Sequence, residues 1–194
     1  MDRDSSPPTG EAGPPDAAAQ PPPDAPADMR TLMTGFPTGV CVVTALDDGV
    51  PWGMTCTSLC SVALDPATLL VCLRDGSPTL RAVLAGGAFA VNLLHDEAQP
   101  SAELFASGAA DRFDRVRWET PAGACGPHLV NSAHTVADCV VSHSRPVGDH
   151  VVTMGRVRRV TRLRSQQPLL YGLRRYATWP QALADSHRSF DFIN

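Results

Sequence analysis

From Gly39 onward the chain is cut into short apolar runs rich in β-branched residues, each closed off by a turn signal. The runs are Gly39–Leu46 (GVCVVTAL), Thr68–Arg74, Ala88–Leu94, His134–His143 and His150–Val160. Such residues fit a pleated, buried surface better than a helix. Asp47-Asp48-Gly49, Asp65-Pro66 and Pro146–Asp149 read as the turns between them. Pro51 to Leu64 reads as one long strand. Trp52, Met54, Cys56, Ser58, Cys60 and Val62 then fall on one face, and Gly53, Thr55, Thr57, Leu59 and Ser61 on the other, which is unusually rich in hydroxyls.

Helical signals are few. Arg30–Phe36 predicts a short helix with Leu32, Met33 and Phe36 on one side, ended by Pro37. Ser77-Pro78 predicts a second helix start, with serine at the N-cap and proline at the first helical position, running to Gly86-Gly87. Glu97–Ser107 reads as a third. Residues 111–127 read as irregular and anchored by Phe113, Val116 and Trp118, and Pro168–Tyr176 as a last strand or turn. Many short strands with few helices predict a mainly β fold with helical insertions, a closed barrel.

The chain has 194 residues and no repeat, which favours one domain. Residues 1–28 hold eight prolines, six acids and one base, and read as a disordered tail ahead of a folded domain at 29–194. The tail carries −5 against a net charge of −4 for the whole chain, leaving the body near neutral at about +1. That argues against a nucleic-acid binder, which needs a clustered basic face. Arg156, Arg158, Arg159, Arg162 and Arg164 form the one basic run, read as a solvated face or a phosphate-facing edge. No apolar run approaches the roughly 18 to 20 residues of a membrane span. The acidic start is no secretory signal, so the expected location is the cytoplasm. Lysine is absent, which excludes Schiff-base and P-loop lysine chemistry. The six cysteines form no C-x-x-C pair; they read as buried thiols, with no metal site.

Phe36-Pro37-Thr38-Gly39-Val40, Val42-Val43-Thr44, Asp48-Gly49 and Gly53-Met54-Thr55 together resemble the flavin reductase-like family. The resemblance continues through Ser61-Val62, Asp65-Pro66, Leu69–Leu73, Ser77-x-Thr79, Phe89-x-Val91-Asn92-Leu93-Leu94, Arg112-Phe113 and Gly148-Asp149-His150. It covers about residues 30–179, with the motifs in the family's order. It implies a split β-barrel flavin-binding fold, a homodimer, and NADH-dependent reduction of FAD or FMN. The reduced flavin would supply a separate flavin-dependent monooxygenase, in aromatic hydroxylation or natural-product biosynthesis. The family often has Ala-Asn where this chain has Cys56-Thr57. Cys56 keeps a small side chain, whereas Thr57 replaces a longer amide.

On that resemblance Pro37, Thr38, Thr55, Cys56, Thr57 and Ser58 are flavin-contact candidates. Ser77, Thr79 and Arg81 at a helix N-terminus suit a phosphate, because amides point outward there and the dipole favours an anion. A plain N-cap with a surface arginine is the alternative. Arg112 joins the phosphate group by analogy, or else makes a surface ion pair. His150 resembles the family's nicotinamide contact, with Arg175 and Tyr176 flanking the nucleotide. The hydride leaves nicotinamide C4 and arrives at flavin N5, so no acid or base residue is required and none is expected to be catalytic. A flavin-binding electron-transfer protein on the same barrel is the main alternative. A pyridoxamine-phosphate-oxidase-like enzyme or a non-enzymatic flavin or haem binder follows. The sequence favours FAD over FMN and NADH over NADPH only through the family's habits.

Overall fold

The computed structural model describes residues 28–182. The proline-rich segment 1–27 lies outside them. Asp28, assigned to the tail from sequence, instead N-caps the first helix, accepting the Thr31 amide.

Over residues 28–178, with a further helical stretch beginning at Trp179, ten strands and three helices follow one another. They are α1 (Met29–Thr34), β1 (Thr38–Gly39), β2 (Cys41–Asp47), β3 (Val50–Cys56), β4 (Cys60–Leu64), β5 (Ala67–Arg74), α2 (Pro78–Gly86), β6 (Ala88–Leu94), α3 (Gln99–Ser107), β7 (Ala133–Val147), β8 (His150–Arg162), β9 (Leu170–Gly172) and β10 (Arg175–Ala177). Seven strands form one antiparallel sheet in the order β3-β2-β6-β7-β8-β5-β4, and β1-β9-β10 form a second, small one. The architecture is mainly β, as the sequence predicts.

Continuous hydrophobicity in β2 has a direct cause: both faces of the strand are covered. Cys41, Val43 and Ala45 enter one core cluster with Val71, Leu73, Phe89, Val91 and the α2 residues Leu80, Ala82 and Val83. Val40 and Val42 enter another with Leu94, Leu129, the α3 residues Ala102 and Phe105, and Phe113. Phe113 packs edge-on against Phe105 and Trp118, at 5.1 and 5.8 Å between centroids, so the irregular 111–127 segment is anchored as expected.

Two polar networks pin this segment to the sheet. Asn92 is fully buried; its Nδ2 donates to Val42 O, Thr44 Oγ1 and Pro127 O, and its Oδ1 accepts the Leu129 amide. Asp138 is equally buried and accepts from the Cys125 amide, His128 Nε2 and Arg159 Nε. Burial alone would push the Asp138 carboxyl up; the His128, Cys125 and Arg159 hydrogen bonds outweigh it and hold the group below its ordinary value.

The structure corrects several expectations. The long strand at 51–64 is two strands, broken at Thr57-Ser58-Leu59. At the break Ser58 Oγ accepts from Cys72 N at 2.9 Å and donates to Cys72 O at 3.2 Å. A side chain thus joins the end of β3 to β5, where ladder pairing has stopped. The β7–β8 turn is only Gly148-Asp149, and Pro146 lies inside β7. Beyond Val140 that strand has no β6 neighbour, so the missing N–H of Pro146 faces no partner. Helix α1 buries none of its residues, and Leu32, Met33 and Phe36 stay exposed. Cys60 is exposed and Cys72 and Cys125 are half-buried, unlike the buried Cys41, Cys56 and Cys139.

Close packing gives a stability prediction. A Cβ on Gly155 would lie 2.5 Å from Phe89 Cζ and 2.9 Å from Cys139 Cβ, in the wall of the core. Phe89 is fully buried and has little room to retreat. Gly155→Ala is expected to destabilise the fold by about 1 to 3 kcal/mol, the usual range for overpacking. Chemical denaturation reads this as a lower midpoint at unchanged slope.

Candidate functional site

Helix α2 begins as the sequence predicts. Ser77 Oγ accepts the Leu80 amide at 3.2 Å, Pro78 occupies the first turn, and Gly87 closes the helix in the left-handed conformation. Pro78 has no N–H and the Leu80 amide is taken, so the Thr79 amide is the first-turn donor left for a ligand. Thr79 is nearly buried, and its hydroxyl makes no hydrogen bond among the described residues.

This helix end opens onto a cavity of about 400 Å³ lined by Trp52, Gly53, Met54, Thr55, Ser77, Thr79, Phe105 and Arg112, among others. Arg112 is buried rather than at the surface. Its Nε donates to Gly53 O at 3.0 Å and its Nη1 to Ala109 O at 2.7 Å. Its Nη2 makes no hydrogen bond among the described residues. Burial lowers the Arg112 pKa, though a guanidinium stays charged at any physiological pH. Arg81 lies outside the lining. It is an exposed side chain with a long contact to Asp47 (4.0 Å), and its guanidinium lies 5.8 Å from the Trp52 ring centroid. The Arg112 guanidinium lies at the same 5.8 Å from that ring.

A second cavity of about 400 Å³ is lined by Phe36, Pro37, Thr38, Gly39, Cys41, Thr57, Leu59, Leu93 and His134, among others. Thr38 Oγ1 is buried there without a hydrogen-bond partner among the described residues. The small sheet explains how Pro37 and Thr38 reach this place. Thr38 pairs with Tyr171, and Tyr171 with Tyr176. The two tyrosine rings meet edge-on at 5.1 Å. Gly172 fits this crossing closely, since a Cβ would lie 3.2 Å from the Pro37 Cα and push the two segments apart by a few tenths of an ångström. Arg175 pairs with Gly172 and sits on the far side of the same sheet, against a third concavity.

Thr55 lines the first cavity and Thr57 the second, so Cys56 stands between them. The hydroxyls expected on this stretch are partly committed elsewhere. Thr55 Oγ1 donates to Ala102 O of α3 at 2.6 Å, and Ser58 holds Cys72. His150 opens β8 opposite Arg74, half-exposed, with Nδ1 2.8 Å from Asp149 Oδ1. That contact is the main cause holding the Asp149 carboxyl below its ordinary value. The Asp75 amide donates to Asp149 O, so the Gly148-Asp149-His150 turn is tied to the segment that leads into Ser77.

Sequence reasoning missed Trp52 and His134. Trp52 read only as one residue on a strand face, and His134 only as the first residue of a strand. Burial, with His95 and Arg162 nearby, keeps the His134 pKa down.

A family model described as a flavin reductase like domain matches residues 33–180. The chain belongs to the flavin reductase-like family. A flavin reductase (NADPH) of Lentzea aerocolonigenes is 53% identical over 154 residues, covering 79% of this chain and 89% of that protein. A flavin-dependent monooxygenase reductase subunit, HsaB of Rhodococcus jostii, is 36% identical over 75% of this chain and 74% of its own. The solved structure of Streptomyces globisporus NADH:FAD oxidoreductase SgcE6, in complex with NAD and FAD fragments, superposes with a TM-score of 0.71 at 30% identity, covering 76% of this chain and 88% of that one. Like those proteins, this flavin reductase-like chain is an oxidoreductase built on the split barrel.

Proposed function

We propose that this flavin reductase transfers a hydride from a reduced nicotinamide to FAD and releases reduced flavin to a separate monooxygenase. The observation that carries the reading is the cavity at the α2 N-terminus. It combines a free Thr79 hydroxyl and amide with the unpartnered Nη2 of a buried arginine. Donors without protein acceptors that line one concavity suit an anionic phosphate. Bound flavin supplies the hydride acceptor. The chain's own part is to bind and orient: Thr79 and Arg112 take the phosphate, and Thr55–Ser58 run past the ring. Pro37 and Thr38 pack at the second cavity and exclude water, and Tyr176 supports them through its ring contact with Tyr171. Ser77 acts through the cap it gives α2.

The nicotinamide enters beside Gly148-Asp149-His150, which the Asp75–Asp149 hydrogen bond sets near the phosphate end. The sequence favours NADH, while the 53%-identical relative is named for NADPH. Steady-state oxidation of NADH and NADPH, each with FAD and with FMN, tests the function and the pairing together. Failure to oxidise either nicotinamide with either flavin overturns the reading. His150→Ala is expected to spare flavin affinity and lower kcat/KM for the nicotinamide by about 1 to 2 kcal/mol, roughly five- to thirtyfold. Unchanged kcat/KM in the folded variant removes His150 from the site.

The apolar row Leu32, Met33, Phe36 and Leu173, uncovered among the described residues, supports a homodimer. Six free cysteines support a reducing compartment, the cytoplasm. No helix among the described residues is long and apolar enough to cross a membrane. Residues 1–27 are proposed to be a dispensable tail, and their deletion is expected to leave kcat/KM unchanged in the same assay.

A further inference from the structure

Cys41 and Cys56 face each other across β2 and β3 in direct register. Directly opposed residues of antiparallel strands have Cα atoms about 4.5 to 5.5 Å apart, within the about 4.4 to 6.8 Å that a disulfide bridges. Both side chains point into the same core cluster. The Cys41 Sγ lies 3.2 Å from Cys56 O, and Cys56 Sγ lies 3.1 Å from Ser58 Oγ. Ser58 in turn holds Cys72 of β5 through both backbone groups. Cys41 lines the second cavity, as do Thr57 and Leu59 on either side of Ser58. Both thiols are thus buried from bulk water; Cys41 borders a space that a small oxidant can enter, and Cys56, nearly buried, is its cross-strand neighbour.

We propose that Cys41 and Cys56 form a peroxide-sensitive thiol pair whose oxidation to a disulfide reversibly deforms the flavin cavity and slows the enzyme. The inference rests on the flavin reading of that cavity. The oxidant is hydrogen peroxide, which forms when released reduced flavin meets oxygen instead of a monooxygenase. The Cys56 sulfur attacks one peroxide oxygen, the O–O bond breaks, and hydroxide leaves with the thiol proton as water. The resulting sulfenic acid is attacked by Cys41; the S–S bond forms as the S–O bond breaks, and a second water departs. Two thiols are oxidised by two electrons and one peroxide is reduced to two waters.

The two thiols are electronically unequal in the right sense. The neighbouring Cys41 thiol, helped by Ser58, outweighs burial and brings Cys56 down to about 6, while the same contact and burial push Cys41 up. The thiolate is the nucleophile, which makes Cys56 the first to react. Cβ atoms of opposed residues stand about 4.5 to 5.5 Å apart, whereas a disulfide draws them to about 3.5 to 4.5 Å. Closing the bond pulls Cys56 away from Ser58 and loosens Thr57–Leu59, which wall the cavity. A bond made against such strain is readily reduced, as a reversible switch requires.

The test uses the full-length, prereduced protein titrated with hydrogen peroxide and quenched with iodoacetamide. Arg30 and Arg74 bracket Cys41, Cys56, Cys60 and Cys72 in one tryptic peptide, so chymotrypsin, cutting at Trp52 and Leu59, is used for mapping. The expected result is a Cys41–Cys56 linked peptide that accumulates as most of the nicotinamide oxidation rate is lost, with both reversed by dithiothreitol. In Cys41→Ser, Cys56 is expected to stop at a sulfenic acid trapped by dimedone; mapping of the wild type decides if that variant does not fold. Cys41 and Cys56 both still alkylated after activity is lost, linkage to Cys60 or Cys72 instead, or full linkage at undiminished rate would each overturn the proposal. A protein that forms the link but never oxidises NADH or NADPH with either flavin overturns the flavin reading, and with it the switch.

Discussion

Asp138→Ala is expected to lower the stability of the fold by about 3 kcal/mol, because it strips the partners from a buried network rather than a surface ion pair. The carboxylate is wholly buried, and it is the acceptor for the Cys125 amide, for His128 Nε2 and for Arg159. Arg159 is partly exposed and can turn toward water. His128 is only 1% exposed and cannot. An unsatisfied buried donor costs about 1 to 3 kcal/mol; here the buried His128 Nε2 is left so, the half-buried Cys125 amide loses its acceptor, and a void opens beside them. For a domain of this size the loss corresponds to a fall in Tm of about 6 to 12 °C. The same group predicts acid sensitivity. Its folded pKa is depressed, so its contribution is present above the unfolded value of about 3.9 and is lost as the pH falls through the folded value. Asp138→Ala should therefore flatten the acid limb of the stability–pH curve. Thermal unfolding of both proteins between neutral and acidic pH checks this; equal Tm values at neutral pH would show that the network contributes nothing.

Thr79→Val is expected to weaken flavin binding by about 1.5 to 3 kcal/mol, roughly ten- to a hundred-and-fifty-fold in Kd, with little effect on folding. Threonine and valine have nearly the same shape, so the packing of the nearly buried side chain is kept. The hydroxyl has no protein partner to strand. Ser77 is a poorer probe, since its Oγ caps α2 and Ser77→Ala would loosen the helix by about 1 kcal/mol. Arg112 is poorer still, because it also ties the 108–112 segment to Gly53. Titration with FAD and with FMN reads the effect. Wild-type affinity for both would place the phosphate elsewhere.

Much of the fold was legible because local chemistry and tertiary context agree. The CVVTAL part of GVCVVTAL became β2, with Gly39 drawn into β1, Ser77-Pro78 opened α2, and Gly87 closed it, since caps and β-branched runs act within a few residues. The break at Thr57–Leu59 was not legible. Alternation continues through it in sequence, and only the approach of β5 gives Ser58 a carbonyl and an amide to bind. Helix α1 has the expected apolar side, but nothing in one copy of the described chain covers it.

The sequence by itself determined which chemistry is possible: a lysine-free, mainly β chain with a serine-capped helix N-terminus, proposed above to take a phosphate, and the motif order of a flavin reductase. The tertiary structure decided which side chains are free to perform it. Thr55 and Ser58 are spent on backbone carbonyls and amides, Arg112 is half spent, and Thr79 is left over. Hydrogen-bond commitment depends on which distant backbone atoms arrive within about 3 Å, and no local pattern encodes that. The cross-strand meeting of Cys41 with Cys56, fifteen residues apart, is of the same kind. It follows from strand register, which the turn at Asp48-Gly49 fixes and the packing on both faces of β2 locks.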